Sequence, residues 1–273
     1  MTTTQADKAR AFRALHERLF VMPNPWDGGS ARILAGLGFA ALATSSGAAA
    51  GTLGRRDGAI TRDESLALAK VIVDATELPV SADLENGFGA APEDAAETIR
   101  RAAAIGLVGG SIEDASGDAE RPLYDVAHAA ERIAAAAEAA RACGFAFTLT
   151  ARAENFLRGR PDLDDTIRRL QAYERAGADV LFAPGLPDLD AVRTVCASVG
   201  KPVNFMVAIR GRSFSVAELR AAGVRRVSLA TSLYRAAMTG LVNAAREVAE
   251  HGSFGYLDQG LLTSAELGAY LRP

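Results

Sequence analysis

Leu78-Pro79-Val80-Ser81-Ala82-Asp83-Leu84-Glu85-Asn86-Gly87-Phe88-Gly89 runs from a short apolar segment into two carboxylates and a glycine-flanked turn. Residues i and i+2 of a strand point the same way, which predicts Asp83 and Glu85 on one face at a strand's C-terminal end. Like charges held together repel unless a proton or cation lies between them. A hard divalent cation with oxygen ligands, Mg²⁺ or Mn²⁺, meets that need, and a solvated acidic turn is the plainer alternative.

The same grammar of apolar run, turn and helical stretch recurs along the chain. Short apolar runs at 19–22, 39–44, 79–85, 107–112, 145–151, 179–184, 203–207 and 224–229 read as eight strands, each followed by a helical pattern. Capping boxes open three of the helices, at Thr61-Arg62-Asp63-Glu64, Ser215-Val216-Ala217-Glu218 and Thr263-Ser264-Ala265-Glu266. No linker or shift in composition interrupts the series. The expected fold is therefore α/β, a single (β/α)₈ TIM barrel over 1–273, with an N-terminal helix and a C-terminal helical tail at 252–273. The 273 residues suit a barrel, which needs about 250. An open doubly wound sheet is disfavoured because no GxGxxG follows the first strand.

In a barrel all strand C-termini meet on one face. Asp83 and Glu85 from strand three, Glu113 from strand four and Arg152 from strand five would converge there. Ser45-Ser46-Gly47, after strand two, is read as a small-residue loop whose hydroxyls and free amides could hold a carboxylate or phosphate. Asn204, on strand seven, either lines the pocket or satisfies backbone groups. Arg55 and Arg56 either meet a distal acid of the substrate or are solvated. His16, His128 and His251 fall in helical stretches and read as structural.

Bulk properties exclude several classes. Charge is mixed and nets to −3, so no basic field points to nucleic acid or an anionic membrane. No apolar run reaches the roughly 18 residues of a membrane span, and no signal peptide is visible. Lys8, Arg10, Arg13 and Arg18 would suit a transit peptide, but Asp7 and Glu17 argue for a first helix packed on the domain. Cys143 and Cys196 lie far apart without CxxC spacing and read as reduced thiols, so a cytoplasmic location is expected.

Taken together, Pro23-Asn24-Pro25-Trp26-Asp27, Ala43-Thr44-Ser45-Ser46-Gly47, Asp57-Gly58, Asp83 to Gly89, Ile112-Glu113-Asp114, Ala151-Arg152-Ala153-Glu154 and Ser228-Leu229 give the chain its resemblance to the isocitrate lyase/phosphoenolpyruvate mutase superfamily, in the phosphoenolpyruvate mutase-like branch. The resemblance implies a Mg²⁺-dependent lyase that acts on a small 2-oxo or 2-hydroxy carboxylic acid through a pyruvate enolate-like intermediate. A mutase or P–C hydrolase is the alternative, and a non-catalytic ligand-binding barrel a second one. By the same resemblance Asp83 is a direct metal ligand, and Glu85 and Glu113 act partly through water. Ser45, Ser46, Gly47 and Trp26 belong to the substrate site, Arg152 to its oxyanion side and Asp57 to a mobile loop beside it. It also implies a homo-oligomer, dimer or tetramer, with the last helix exchanged between subunits. The chain departs from isocitrate and methylisocitrate lyases in one place. The stretch 115–124, Ala-Ser-Gly-Asp-Ala-Glu-Arg-Pro-Leu-Tyr, lacks their Lys-x-Cys-Gly-His-type loop, so Asp57 or Tyr124 is the expected proton carrier.

Overall fold

The computed structural model describes residues 3–271. Eight short strands, β1 (Phe20–Met22), β2 (Leu42–Ala43), β3 (Val80–Asp83), β4 (Gly109–Glu113), β5 (Thr148–Arg152), β6 (Val180–Phe182), β7 (Val203–Met206) and β8 (Arg226–Ser228), pair in parallel. Each strand neighbours the next in sequence, and β8 lies against β1. The seam between β1 and β2 is joined by Ala43 N–H donating to the Pro23 carbonyl at 3.1 Å and by Asn24 Nδ2 donating to the Thr44 carbonyl at 2.8 Å. The sheet thus curls into an α/β TIM barrel. Strands buried on both faces tend to be apolar runs, as in Val180-Leu181-Phe182, although β3, β5, β7 and β8 also turn polar side chains inward.

Around the barrel run α2 (Gly28–Gly36), α3 (Ser46–Thr52), α4 (Arg62–Ala75), α5 (Pro92–Ala104), α6 (Val126–Ala142), α7 (Leu163–Ala176), α8 (Leu189–Ser198), α9 (Val216–Ala221) and α10 (Ser232–His251); α1 (Gln5–Leu15) precedes β1 and α11 (Ser264–Gly268) lies in the tail. The capping boxes at Thr61/Glu64, Ser215/Glu218 and Thr263/Glu266 form as their sequences require. The stretch after β2 corrects the expectation of a loop. Ser45 is the N-cap of α3, and Ala48-Ala49-Ala50, buried against the rest, make the small-residue run a helix. Alanine loses no side-chain entropy on entering a helix, so a run of it favours helix over loop once one face is covered.

α1 closes the end of the barrel opposite the strand C-termini. Phe12 is fully buried and meets the edges of His16 and Phe20 at ring-centroid distances of 5.1 and 6.2 Å. His16 donates from Nδ1 to the Phe12 carbonyl at 3.0 Å, and its Nε2 accepts from Arg226 Nη1 at 3.4 Å. That pairing requires a neutral ring. Burial, and then the Arg226 charge, lower the His16 pKa to about 3. At the other extreme of order, α10 leaves Leu241, Val242 and Val248 exposed and buries none of its own residues, and the tail exposes Phe254, Leu257, Leu261 and Leu262.

His16 sets a pH dependence. Below the ordinary imidazole pKa the unfolded chain binds a proton at this ring that the folded chain refuses until about 3. This contribution to stability is complete above about pH 6.5 and falls with decreasing pH, by at most about 1.4 kcal/mol per unit. Urea unfolding of His16→Gln is expected to show a shallower loss than the parent between about pH 6.5 and pH 5. Parallel curves would place the titration elsewhere.

Candidate active site

Arg152 ends β5 at the mouth of the barrel, and its guanidinium lies among carboxylates from three consecutive strand ends. Nη1 meets Asp83 Oδ1 at 2.8 Å, Nη2 meets Glu113 Oε2 at 3.1 Å, and Nε and Nη2 both donate to Glu154 Oε1, at 3.1 and 2.9 Å. The register places these groups together, because Asp83 pairs with Ser111 and Glu113 with Arg152 along the sheet. The Phe182 ring lies under the guanidinium, 5.1 Å from its centroid. Burial opposes the Arg152 charge, but Glu154, Glu113 and Asp83 outweigh it and hold the group protonated well beyond an ordinary arginine. Arg158 adds a second cation on Glu113, at 3.0 Å. Even so, burial, reinforced by Glu154, raises the Glu113 pKa to about 8.

Glu85 departs from the expectation of two carboxylates on one strand face. β3 ends at Asp83, and Glu85 sits in a turn at φ +50°, followed by Gly87 at +83° and Phe88 at +60°. Two non-glycine residues with left-handed backbones within four positions cost about 1–3 kcal/mol each, and such strain gathers at functional sites. Gly87 has no alternative, since a Cβ there would lie 3.0 Å from the Ala95 main chain. The turn still brings the acids together, with Glu85 N–H donating to Asp83 Oδ1 at 3.3 Å. Glu85 Oε1 is buried with no partner, and burial, then Asp83 and Asp57, raise its pKa to about 7. An unpartnered buried carboxylate oxygen beside another acid is a position a hard divalent ion would satisfy. Asp83 and Glu85 therefore fit such an ion. Glu113 is already matched by two guanidiniums, and among the described residues no three acidic, histidine or cysteine side chains form a ready cluster.

The other expected residues divide. Ser46 donates both N–H and Oγ to Asp83 Oδ2, at 3.3 and 3.1 Å. Ser45 is buried at the N-cap of α3 and makes no side-chain capping bond. A Cβ on Gly47 would meet Asp57 Oδ2 at 3.2 Å, so the Asp57 loop lies against the start of α3. Trp26 packs edge-on to Tyr234 at 5.5 Å and lines a small hollow with Ser45, Ser46 and Asp83. Asn204 donates to Ser228 Oγ at 3.0 Å and lines the central cavity with Asp83 and Arg152. Arg55 pairs with Glu64 at 2.8 Å. Tyr124 is not brought to the mouth. It faces Arg132 and His128 and lines a neighbouring groove with Asn155, Arg160 and Arg169. The stretch after β4 folds back on itself through an antiparallel bridge between Ala115 and Leu123, and its tip borders the cleft that reaches Glu85 and Glu113. Cys143 ends α6 and donates to the Ala139 carbonyl.

Glu154, Arg158 and Asp114 complete the site without having been singled out. Asp114 accepts from Glu154 N–H at 2.8 Å, Arg169 at 3.0 Å and Tyr173 Oη at 2.6 Å, which ties the ends of β4 and β5 to α7. The signal was present for Glu154, two residues beyond the Arg152 that ends β5; Arg158 lies in an irregular loop that carries no periodicity.

A parallel barrel with acids and an arginine gathered at its strand C-termini has the layout of a barrel enzyme's active site. The chain belongs to the phosphoenolpyruvate phosphomutase family, whose profile matches residues 12–249, within the isocitrate lyase/phosphoenolpyruvate mutase superfamily of enzymes. A protein of Burkholderia cenocepacia J2315, whose description leaves lyase and mutase both open, superimposes with a TM-score of 0.95 at 52% identity, over 97% of this chain and 96% of that one. The 2-methylisocitrate lyase of Escherichia coli K12 is 32% identical over 202 residues, 71% of this chain and 67% of its own. The structure of 2,3-dimethylmalate lyase superimposes with a TM-score of 0.86 at 27% identity, over 96% and 94% of the two chains.

Arg152→Met would leave Asp83, Glu113 and Glu154 without their shared cation. Breaking a buried ion pair from one side costs about 3–5 kcal/mol. Urea unfolding is expected to show a loss of that order. A loss below about 1 kcal/mol would mean the carboxylates relax into solvent or take up protons instead.

Proposed function

We propose that this chain is a Mg²⁺-dependent carbon–carbon lyase, with Mn²⁺ as a substitute ion, acting on a small 2-oxo or 2-hydroxy carboxylic acid through an enolate-like intermediate. The observation that carries the reading is Arg152, locked among three carboxylates beside the unpartnered oxygen of Glu85. The names of the similar lyases, for methylisocitrate and dimethylmalate, support an acid of this kind.

Bound by Asp83 and Glu85, with Glu113 behind them, the ion would supply Lewis-acid polarisation of the substrate's 2-oxygen. Arg152 already donates three of its five N–H groups, to Glu154 and Asp83. With Nη2 also against Glu113, one N–H of Nη1 remains for the oxygen on which charge would develop as the C–C bond breaks. Ser46 is committed to Asp83, so the substrate carboxylate falls to the Ser45 hydroxyl and to Gly47 N–H, which as a first-turn amide of α3 has no partner within the helix. Asp57, against Gly47, carries the proton at its Oδ2. Tyr124 has no part in this reading, because its ring faces another groove.

Oxalate imitates the planar enolate and has one carboxylate for each role. It is expected to raise the melting temperature only when Mg²⁺ is present, and Asp83→Asn is expected to abolish that rise. Stabilisation by oxalate without a divalent ion would overturn the metal assignment. Pyruvate release from oxaloacetate, substituted malates or methylisocitrate then reports C–C cleavage and from phosphonopyruvate P–C cleavage, with phosphoenolpyruvate as the control for P–O hydrolysis.

The reading includes a homo-oligomer. Leu241 is 60% exposed, Phe254 58% and Leu262 59%, and such apolar surface on one long helix and its tail suits a second copy of the chain. Sedimentation is expected to give a dimer or tetramer, and Leu241→Asp with Val248→Asp to give monomers. A monomeric parent would end this part.

A further inference from the structure

Below the mouth, the barrel holds a second buried arginine with a different environment. Arg226 begins β8 and is 3% exposed. It donates from Nε to Asn204 Oδ1 at 2.9 Å, from Nη2 to Thr150 Oγ1 at 3.0 Å and from Nη1 to His16 Nε2 at 3.4 Å. All three partners are neutral, and among the described residues no carboxylate comes within ion-pair distance of it. Two of the other buried arginines are paired with carboxylates, Arg152 with three and Arg169 with Asp114 and Asp165, whereas Arg132, like Arg226, meets neutral acceptors, the carbonyls of Asn86, Gly89, Ala90 and Glu113. Burial alone pulls the Arg226 pKa down to about 9. Three neutral hydrogen-bond acceptors offset part of the cost of burying this cation, but no carboxylate balances its charge.

The space beside Arg226 is equally unusual. Barrel interiors are normally filled by layers of large branched side chains. Here the walls carry Ser81, Ser111, Asn204 and Ser228, and a cavity of about 60 Å³ remains between Arg226 and the pair Asp83 and Arg152. That is room for roughly four waters, or for one carboxylate or phosphate-sized group. Thr148 Oγ1 is also buried without a partner, on the strand face that carries Thr150 and Arg152.

We propose that Arg226 is an anion-binding residue at the floor of this cavity, and that it takes a small oxyanion of the carboxylate or phosphate class. The anion is either a terminal group of the substrate or a free ion from solvent. In the first case the substrate has two anionic ends, one held at Ser45 and Gly47 and the other reaching down to Arg226; this identification rests on the proposed lyase reading, whereas the Arg226 site does not.

The test uses metal-stripped protein at fixed ionic strength, with formate replacing gluconate, an anion too large for the cavity. Formate is expected to raise the melting temperature of the parent, on the order of 3 °C at tenfold excess over its Kd. Arg226→Met is expected to show no formate response, its melting temperature being the same in formate and in gluconate. A flat formate response in the parent, or an equal response in Arg226→Met, would overturn the site. Should Arg226→Met fail to fold, Arg226→Lys carries the comparison, with an expected loss of tenfold or more in formate affinity because the ammonium lacks the planar fork; unchanged affinity counts against the site. Oxalate titrated with Mg²⁺ in the presence of formate then identifies the source. Competition makes the anion a substrate group, and simultaneous binding makes it a resident ion. Failure of oxalate to bind with Mg²⁺ would remove the lyase reading and leave the formate result standing.

Discussion

The mouth of this barrel is organised by one guanidinium. Arg152 meets Asp83, Glu113 and Glu154, so the ends of β3, β4 and β5 share a single cation. Two buried acids, Glu113 and Glu154, and the half-buried Asp83 outnumber their one base, and the surroundings relieve the imbalance in stages. Arg158 reaches Glu113 from the loop after β5, and Asp114 holds the Glu154 main chain in place from β4. Glu85 is the member left over, with a buried oxygen that nothing in the chain satisfies. A site short of positive charge by this margin favours a cation, or protons on its acids.

The barrel divides along its axis in the usual manner, with chemistry at the strand C-termini and stability at the other end. α1 seals the lower end with Phe12 and a neutral His16, which in turn accepts from Arg226. The middle is polar and partly hollow, with Ser81, Ser111, Asn204 and Ser228 where a purely structural barrel would place branched apolar side chains. Such an interior sacrifices core packing, and Arg226, at its floor, brings it a positive charge that no carboxylate among the described residues pairs with.

The fold-back after β4 bears on which chemistry the family site supports here. Ala115 and Leu123 bridge it into a short flap whose tip borders the cleft over Glu85 and Glu113. It carries no thiol, amine or imidazole, and Cys143 is tied to the Ala139 carbonyl at the far end of α6. Any proton needed at the reacting carbon must therefore come from the acids of the mouth or from water rather than from a cysteine in the flap. Asp57, set against the first turn of α3, is the acid beside the proposed carboxylate site at Gly47.

Much of this was legible in the chain. Eight apolar runs alternating with capped helices dictate a barrel, because a strand buried on both faces has no other place to go. Barrel closure then requires Asp83, Glu113 and Arg152 to converge, whatever their separation in sequence. What the chain did not disclose came from contacts that no local pattern encodes. The run at 45–52 became a helix because packing covered its alanines, Glu85 left the strand through a left-handed turn, and the Tyr124 ring turned toward Arg132. Arg158, in a loop, and Arg226, in a strand that reads as ordinary core, carry no local signal of partnership. Short-range periodicity determines which elements form and in what order, whereas the charge each buried group meets depends on register and burial, and those exist only once the barrel is closed.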